Sequence, residues 1–155
     1  MVEIRKATVE DLENIRKLNQ ELFVYENENF DKTIDVGSSF NETHKKRFVD
    51  NIKDDFVIVA VEDKVIVGYL VGKISKAESY RNVGKIIELD SLLVNKEFRS
   101  KKIGHKLVKE FKMWAKTQGI NRLGVTASAG NLKTIEFYRM EGFKDYDLTL
   151  EQEIK

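Results

Sequence analysis

The sequence predicts an α/β sandwich of the α+β kind, with a central mixed, mostly antiparallel sheet flanked by helices. Two β-branched runs, FVIVAV at 56–61 and VIVGYLVGKI at 65–74, are separated only by Glu62, Asp63 and Lys64, which is the pattern of an antiparallel hairpin. A third run, KIIELDSLLV at 85–94, is apolar enough to lie centrally in a sheet. Segments of helical period precede and follow these runs. That order, with a hairpin in its middle, fits a mixed sheet better than a purely parallel one.

Taken from the start, Val2 to Arg5 alternates as a short strand does. Thr8 followed by Asp11 is a capping-box pattern that opens a helix, and Leu12, Ile15, Leu18 and Leu22 give that helix one apolar stripe. From Tyr25 to Lys46 the periodicity dissolves into a long polar loop, before Phe48, Val49 and Ile52 mark a short amphipathic helix. After the three strand runs, Ile103, Leu107, Val108, Phe111 and Ala115 keep helical period as far as Gly119. LGVTAS at 123–128 reads as a strand. Asn131 stands where an N-cap belongs, Leu132, Ile135 and Tyr138 fall on one helical face, and Gly142 closes that helix. Phe143 to Leu150 alternates again, with Lys144, Tyr146, Leu148 and Leu150 on one side, as a last strand would.

The chain has 155 residues, the size of one domain, so a single domain over 1–155 is expected. Lys plus Arg is 27 and Asp plus Glu is 26, which leaves no global positive excess of the kind nucleic-acid binding requires. There is no cysteine, so disulfides, thiolate metal sites and a cysteine nucleophile are all excluded. The two histidines, His44 and His105, have no zinc-motif spacing, and no metal is expected. No apolar stretch suits a signal peptide or a membrane span, so a cytoplasmic protein without membrane or nucleic-acid partners is expected.

The chemistry concentrates in FRSKKIGHKL at 98–107, which crowds cations around Gly104 between a strand and a helix. The first N–H groups of a helix have no intrahelical acceptor and, with the macrodipole, favour an anion such as phosphate. Gly104 allows a close backbone approach, and Arg99, Lys101 and Lys102 add positive potential. Read by itself, the stretch is either an anion site or a solvated basic face. It is neither a Walker P-loop nor a dinucleotide fingerprint.

LLVNKEFRSKKIGHKLV at 92–108 resembles the acyl-CoA-binding signature of the GNAT superfamily of N-acetyltransferases, in which Arg or Gln is followed three residues later by Gly and five residues later by Gly or Ala. Arg99 and Gly104 match, and Lys102 stands where the first glycine is expected. NLKTIEFYRMEGF at 131–143 is similar to the second signature of that family through Asn131, Phe137, Tyr138, Gly142 and Phe143. The resemblance implies a GNAT-like acyl-CoA N-acyltransferase fold with acetyl-CoA as cosubstrate. It implies Leu92, Leu93 and Val94 beside the pantetheine arm. It places Arg99, Ser100, Lys101, Lys102, Ile103, Gly104 and His105 around the pyrophosphate, and Asn131, Phe137 and Tyr138 nearby.

The same resemblance makes Tyr138 the acid that meets the departing CoA thiolate, whereas a plain reading of its helical face makes it core. Asn131 is likewise an N-cap, a cofactor contact or both. Glu88 lies where some family members carry a catalytic glutamate, with Asp90 two residues on. Either acid can act as base or can pair with a lysine across the sheet. The acceptor is a primary amine of a small molecule or peptide. Glu26, Glu28, Asp31 and Asp35 tilt the loop 25–39 acidic, which suits a cationic amine but equally a solvated loop. His105 reads as an exposed helix residue. Trp114, offset from its helical stripe, covers a hydrophobic edge or meets a second subunit, and a homodimer is one option. The expected activity is direct acetyl transfer in a ternary complex, since no cysteine exists for an acyl-enzyme. The alternatives are a non-catalytic CoA-binding regulatory module on the same fold and a phosphate-ligand domain unrelated to CoA.

Overall fold

A computed structural model describes residues 1–155. Its elements, in chain order, are β1 (Glu3–Lys6), α1 (Leu12–Asn29), α2 (Glu42–Asp54), β2 (Phe56–Glu62), β3 (Val65–Lys76), β4 (Lys85–Val94), α3 (Ile103–Thr117), β5 (Leu123–Val125) and α4 (Leu132–Met140). The five strands form one sheet in sequence order. The first three pairings are antiparallel and β4 with β5 is parallel, giving the mixed, mostly antiparallel sheet that the residue patterns predict. No helix is long and apolar enough to cross a membrane.

Strand alternation sends side chains to both faces, and each face carries its own core. Ile58, Ala60, Leu70, Ile87 and Leu89 pack with Ile103, Leu107, Val108 and Phe111 of α3 and with Tyr138 of α4. Val57, Val59, Tyr69, Val71 and Leu93 pack on the other face with Leu12, Ile15 and Leu18 of α1 and Phe48 of α2. The β2–β3 turn is a tight two-residue connection, Asp63 and Lys64, with both φ angles positive at 49° and 67°. That is the twist a hairpin of this length demands, here met without glycine. The capping box at Thr8 forms, and Arg5 grips Asp11 through two hydrogen bonds of 2.8 and 2.9 Å, tying β1 to the start of α1.

Four local expectations are corrected. The loop expected from Tyr25 is helical as far as Asn29, because Phe30 folds back edge-on against Tyr25 at 5.7 Å and its N–H bonds the Glu26 carbonyl. At the other end of that stretch, α2 begins at Glu42, where the Asn41 side chain accepts the His44 N–H at 2.8 Å; its polar first turn carries no apolar period to betray it. The strand expected over 123–128 ends at Val125. The pairing runs only from Ile87 opposite Leu123 to Leu89 opposite Val125, since Asp90 is an extra residue on β4 and the bulge there bends the strand away. The last expected strand, 143–150, does not form. Alternation supplies no hydrogen bonds without a neighbouring strand, and the segment stays irregular with Tyr146, Leu148 and Leu150 67%, 69% and 83% exposed. Its root is held by Arg139 on Asp145 at 2.7 Å and by Arg81 over the Tyr146 ring at 4.1 Å.

The α4 face is also narrower than expected, because Leu132 is exposed and Tyr138 supplies the burial. Trp114 stacks on Phe56 with centroids 4.5 Å apart and an 8° interplanar angle, so it covers a hydrophobic edge of the first core.

Candidate active site

The bulge at Asp90 opens the sheet. Beyond Leu89, β4 continues to Val94 without β5 beside it, and no backbone hydrogen bond joins 90–94 to 126–130. Main-chain groups of β4 that face this opening lack a strand partner, so the opening can accept an extended ligand as an added strand would. Leu92 and Val94 pack toward the α3 core and Leu93 toward the α1 core.

The stretch that follows β4 turns twice. Asn95 caps a 3-10 turn over Lys96–Lys101, and α3 then starts at Ile103. Between them Lys102 adopts the left-handed conformation, with φ 58° and ψ 27°, which identifies why glycine suits this position. Lys102 is therefore not in the right-handed helix and its exposed side chain makes no ion pair. The Lys106 N–H is satisfied by the Lys102 carbonyl at 3.1 Å, so the N–H groups of Ile103, Gly104 and His105 have no acceptor within α3. These three amides sit beside the upper end of the opening.

The cations around them are used unequally. Arg99 Nε donates to the Val94 carbonyl at 2.9 Å, which leaves its two terminal nitrogens without a protein partner. Lys101 spends its ammonium on Glu62, 2.9 Å from both carboxylate oxygens. His105 Nδ1 lies 2.7 Å from Glu141 Oε1, and Ser100 is exposed. Gly104 has a packing reason that the sequence does not reveal: a Cβ there would lie 3.3 Å from the Phe137 ring, so the glycine lets α3 pass close to α4.

Tyr138 stands where α4 meets the opening. Its ring is 8% exposed and packs between Phe137 and Phe143. Its hydroxyl has no hydrogen-bond partner in the protein, yet it is not among the buried polar atoms that lack one, so it keeps some contact with solvent. Burial raises its pKa well above the ordinary tyrosine value, with smaller contributions from Tyr69 and Glu26, so the phenol stays protonated at neutral pH. Asn131 is buried, and its side chain caps α4 by accepting the Thr134 N–H at 3.3 Å.

Glu88 and Asp90 are brought to the α2 side of β4 but are taken by different partners. Asp90 receives Arg47 of α2 at 2.9 Å and has Lys73 at 4.0 Å, while Glu88 accepts the Ser75 hydroxyl at 3.2 Å and is exposed. Between α1, α2 and β4 lies a cavity of about 90 Å³, lined by Asn19, Phe23, His44, Arg47, Asp90 and Ser91 among others. No three or more metal-ligating side chains converge anywhere in the chain.

Sequence reasoning passed over a buried polar chain beneath this cavity. Ser39 Oγ donates to Asn19 Oδ1 at 2.6 Å, Asn19 Nδ2 donates to the Tyr69 hydroxyl at 2.9 Å, and that hydroxyl lies 2.5 Å from Ser91 Oγ. The available signal was Tyr69 itself: a hydroxyl in the middle of VIVGYLV must find a partner once the strand is buried. Glu26 was noted only as part of an acidic loop. In the structure it lies on the last turn of α1, and its Oε2 accepts the Ser128 hydroxyl at 2.6 Å, which joins α1 to the β5–α4 connection.

Comparison with known proteins agrees with this architecture. The model of the acetyltransferase (GNAT) family matches residues 13–143. Among solved structures, a mutant of the BH1408 protein from Bacillus halodurans aligns with TM-score 0.87 at 18% identity over 99% of both chains. A transcriptional regulator from Bacillus halodurans C-125 aligns with TM-score 0.79 at 23% identity, over 99% of this chain and 100% of that one. The aminoglycoside N-acetyltransferase AAC(6')-Iy, in complex with a bisubstrate analogue of CoA and acetylneamine, aligns with TM-score 0.79 at 15% identity, over 100% of this chain and 99% of that one. At these identities the likeness establishes the fold alone. No curated protein sequence matches the chain. With the family model spanning most of its length, the chain belongs to the GNAT family of acetyltransferases.

Proposed function

We propose that residues 1–155 form a single N-acetyltransferase domain that transfers the acetyl group of acetyl-CoA directly to a primary amine. The observation that carries this reading is Tyr138: a buried, protonated phenol on α4 whose hydroxyl has no partner in the protein. In that setting it can donate a proton to a thiolate leaving between the two strands. The main-chain groups of Leu92 to Val94 would hold the pantetheine arm. The amides of Ile103 to His105, with the free nitrogens of Arg99, would hold the pyrophosphate. Lys101 would contribute through its backbone, because its charge is occupied by Glu62.

The acceptor is an amine carrying positive charge, of the polyamine or amino-sugar class. An aminoglycoside acetyltransferase shares the fold, and Glu26, Glu28, Asp31 and Asp35 make the end of α1 and the segment after it acidic. A homodimer belongs to the same reading, with the exposed Tyr146, Leu148 and Leu150 as its apolar surface. A sedimenting species of 18.0 kDa would remove that part.

Calorimetric titration with acetyl-CoA and with ATP tests cofactor binding, and thiol release against polyamines, amino sugars, amino acids and peptides tests transfer. ATP binding without CoA binding would sink the reading. CoA binding without thiol release from any acceptor would leave the non-catalytic regulatory module in its place.

A further inference from the structure

We propose that Glu26 receives the ammonium group of the acceptor at the β4–β5 opening and takes its proton, acting as the general base opposite Tyr138. This rests on the acetyl-transfer reading and assigns a residue that the position of Glu88 had suggested lay on β4.

The first ground is charge. The chain's buried or half-buried acids are Asp11, Glu26, Asp55, Glu62 and Glu141. Asp11 is held by Arg5 at 2.8 Å, Glu62 by Lys101 at 2.9 Å and Glu141 by Lys112 at 3.5 Å. Asp55 lies at the α2–β2 junction, where Lys73 acts on it. Glu26 makes no ion pair: Oε2 accepts the Ser128 hydroxyl, and Oε1 has no partner. A half-buried carboxylate is expensive to leave unpaired, and an incoming ammonium completes it.

The second ground is place. The Ser128 bond fixes the carboxylate at the connection between β5 and α4, where the sheet has parted. A second contact joins the same two segments, since Phe30 at the end of α1 sits against Gly130, whose Cβ would come within 3.2 Å of the ring. Glu26 approaches the opening from the α1 face and Tyr138 from the α3–α4 face. Glu26 also adds, after burial and Tyr69, to the raised pKa of Tyr138. The exposed carboxylate of Glu88 is instead turned to Ser75.

The proton balance closes on these two residues. Glu26 takes one proton from the ammonium, and the nitrogen lone pair forms the C–N bond to the thioester carbon. The C–S bond breaks and the thiolate takes the Tyr138 proton. A second nitrogen proton restores the phenol, and Glu26 returns its own to solvent. The products are the N-acetylated amine, CoA thiol and one proton.

The test compares wild type, Glu26→Gln and Glu26→Asp, with spermidine and glucosamine as acceptors. Glu26→Gln should bind acetyl-CoA unchanged, bind amine to the CoA-loaded protein at least about 10-fold more weakly, and lose roughly 100-fold in kcat near neutral pH. That deficit should shrink as pH climbs toward about 10 and free amine no longer needs a base. Glu26→Asp should recover part of the loss. A Glu26→Gln deficit that is absent, or the same at every pH, overturns the proposal, as does failure of the CoA-loaded wild type to bind either cationic amine. Wild type that binds CoA and amine without releasing thiol removes the acetyl-transfer reading, while amine binding sensitive to Glu26→Gln still places the ammonium at Glu26.

Discussion

The Tyr69 hydroxyl lies 2.5 Å from the Ser91 hydroxyl, one residue past the Asp90 bulge, and also accepts the Asn19 amide at 2.9 Å. Tyr69 is fully buried, so this oxygen is the only partner that either neighbour finds within the sheet. Tyr69→Phe keeps the ring and strips both of it. Leaving a buried donor unsatisfied costs about 1–3 kcal/mol, and denaturant unfolding should show a loss of that size. A change below about 0.5 kcal/mol would mean that the chain from Ser39 to Ser91 does not hold α1 to the sheet.

The same tyrosine gives an alkaline signature. Burial pushes its pKa from 10.0 up to about 12. A phenol whose pKa is raised by folding binds its proton more tightly in the native state, so its contribution is complete below pH 10 and is lost as pH rises from 10 toward 12. Tyr138 shifts in the same direction. Unfolding midpoints should therefore fall between pH 10 and 12 in wild type and fall less in Tyr69→Phe.

Gly72 on β3 leaves no room for a side chain. A Cβ there would come within 2.7 Å of the Phe111 ring, which is itself fully buried and backed by Trp114. Overpacking of this kind costs about 1–3 kcal/mol, so Gly72→Ala should lower the thermal midpoint clearly. Phe111→Leu in the same chain should return part of the loss, because the clash and its relief share one contact.

Much of this molecule is readable from local pattern, and particular residues show where reading stops. The β2–β3 hairpin and the α3 stripe are written as period two and period three to four, since each buries one face on its own. The end of α1 is not, because Phe30, which folds back on Tyr25 to close the helix, also meets Gly130 a hundred residues on. Glu88 and Asp90 look equivalent in sequence, yet the bulge and Arg47 separate them. Tyr146, Leu148 and Leu150 alternate as a strand does, but pairing is a property of two segments and the second is absent beside them. The two motifs are legible in the sequence, while the contact of Glu26 with Ser128, 102 residues on, is not.

Lys102 holds a φ of 58°, where a β-carbon crowds the backbone. Non-glycine residues pay about 1–2 kcal/mol in this region, offset in part by the greater unfolded-state freedom of glycine. Lys102→Gly should raise stability by roughly 0.5–1 kcal/mol. Affinity for CoA then decides what the lysine does. An affinity that rises or holds makes Lys102 an outward-facing side chain on a strained turn. An affinity that falls, together with a shallower salt dependence, makes its ammonium a direct phosphate contact.

Tyr138→Phe separates chemistry from binding. The phenylalanine keeps the packing against Phe137 and Phe143, and the lost hydroxyl bonded nothing in the protein, so stability should hold or rise slightly. CoA affinity should also hold, since the amides of α3 and the main chain of β4 are untouched. Thiol release should drop by about 10²-fold or more, the size expected for removing a positioned acid. The pH profile of wild type tests the same assignment from another side. An acid must be protonated to act, and burial holds this phenol above its ordinary pKa of 10.0, so kcat should show no descending limb below about pH 10. Turnover that survives Tyr138→Phe, or that falls away by pH 8, removes Tyr138 from the proton transfer.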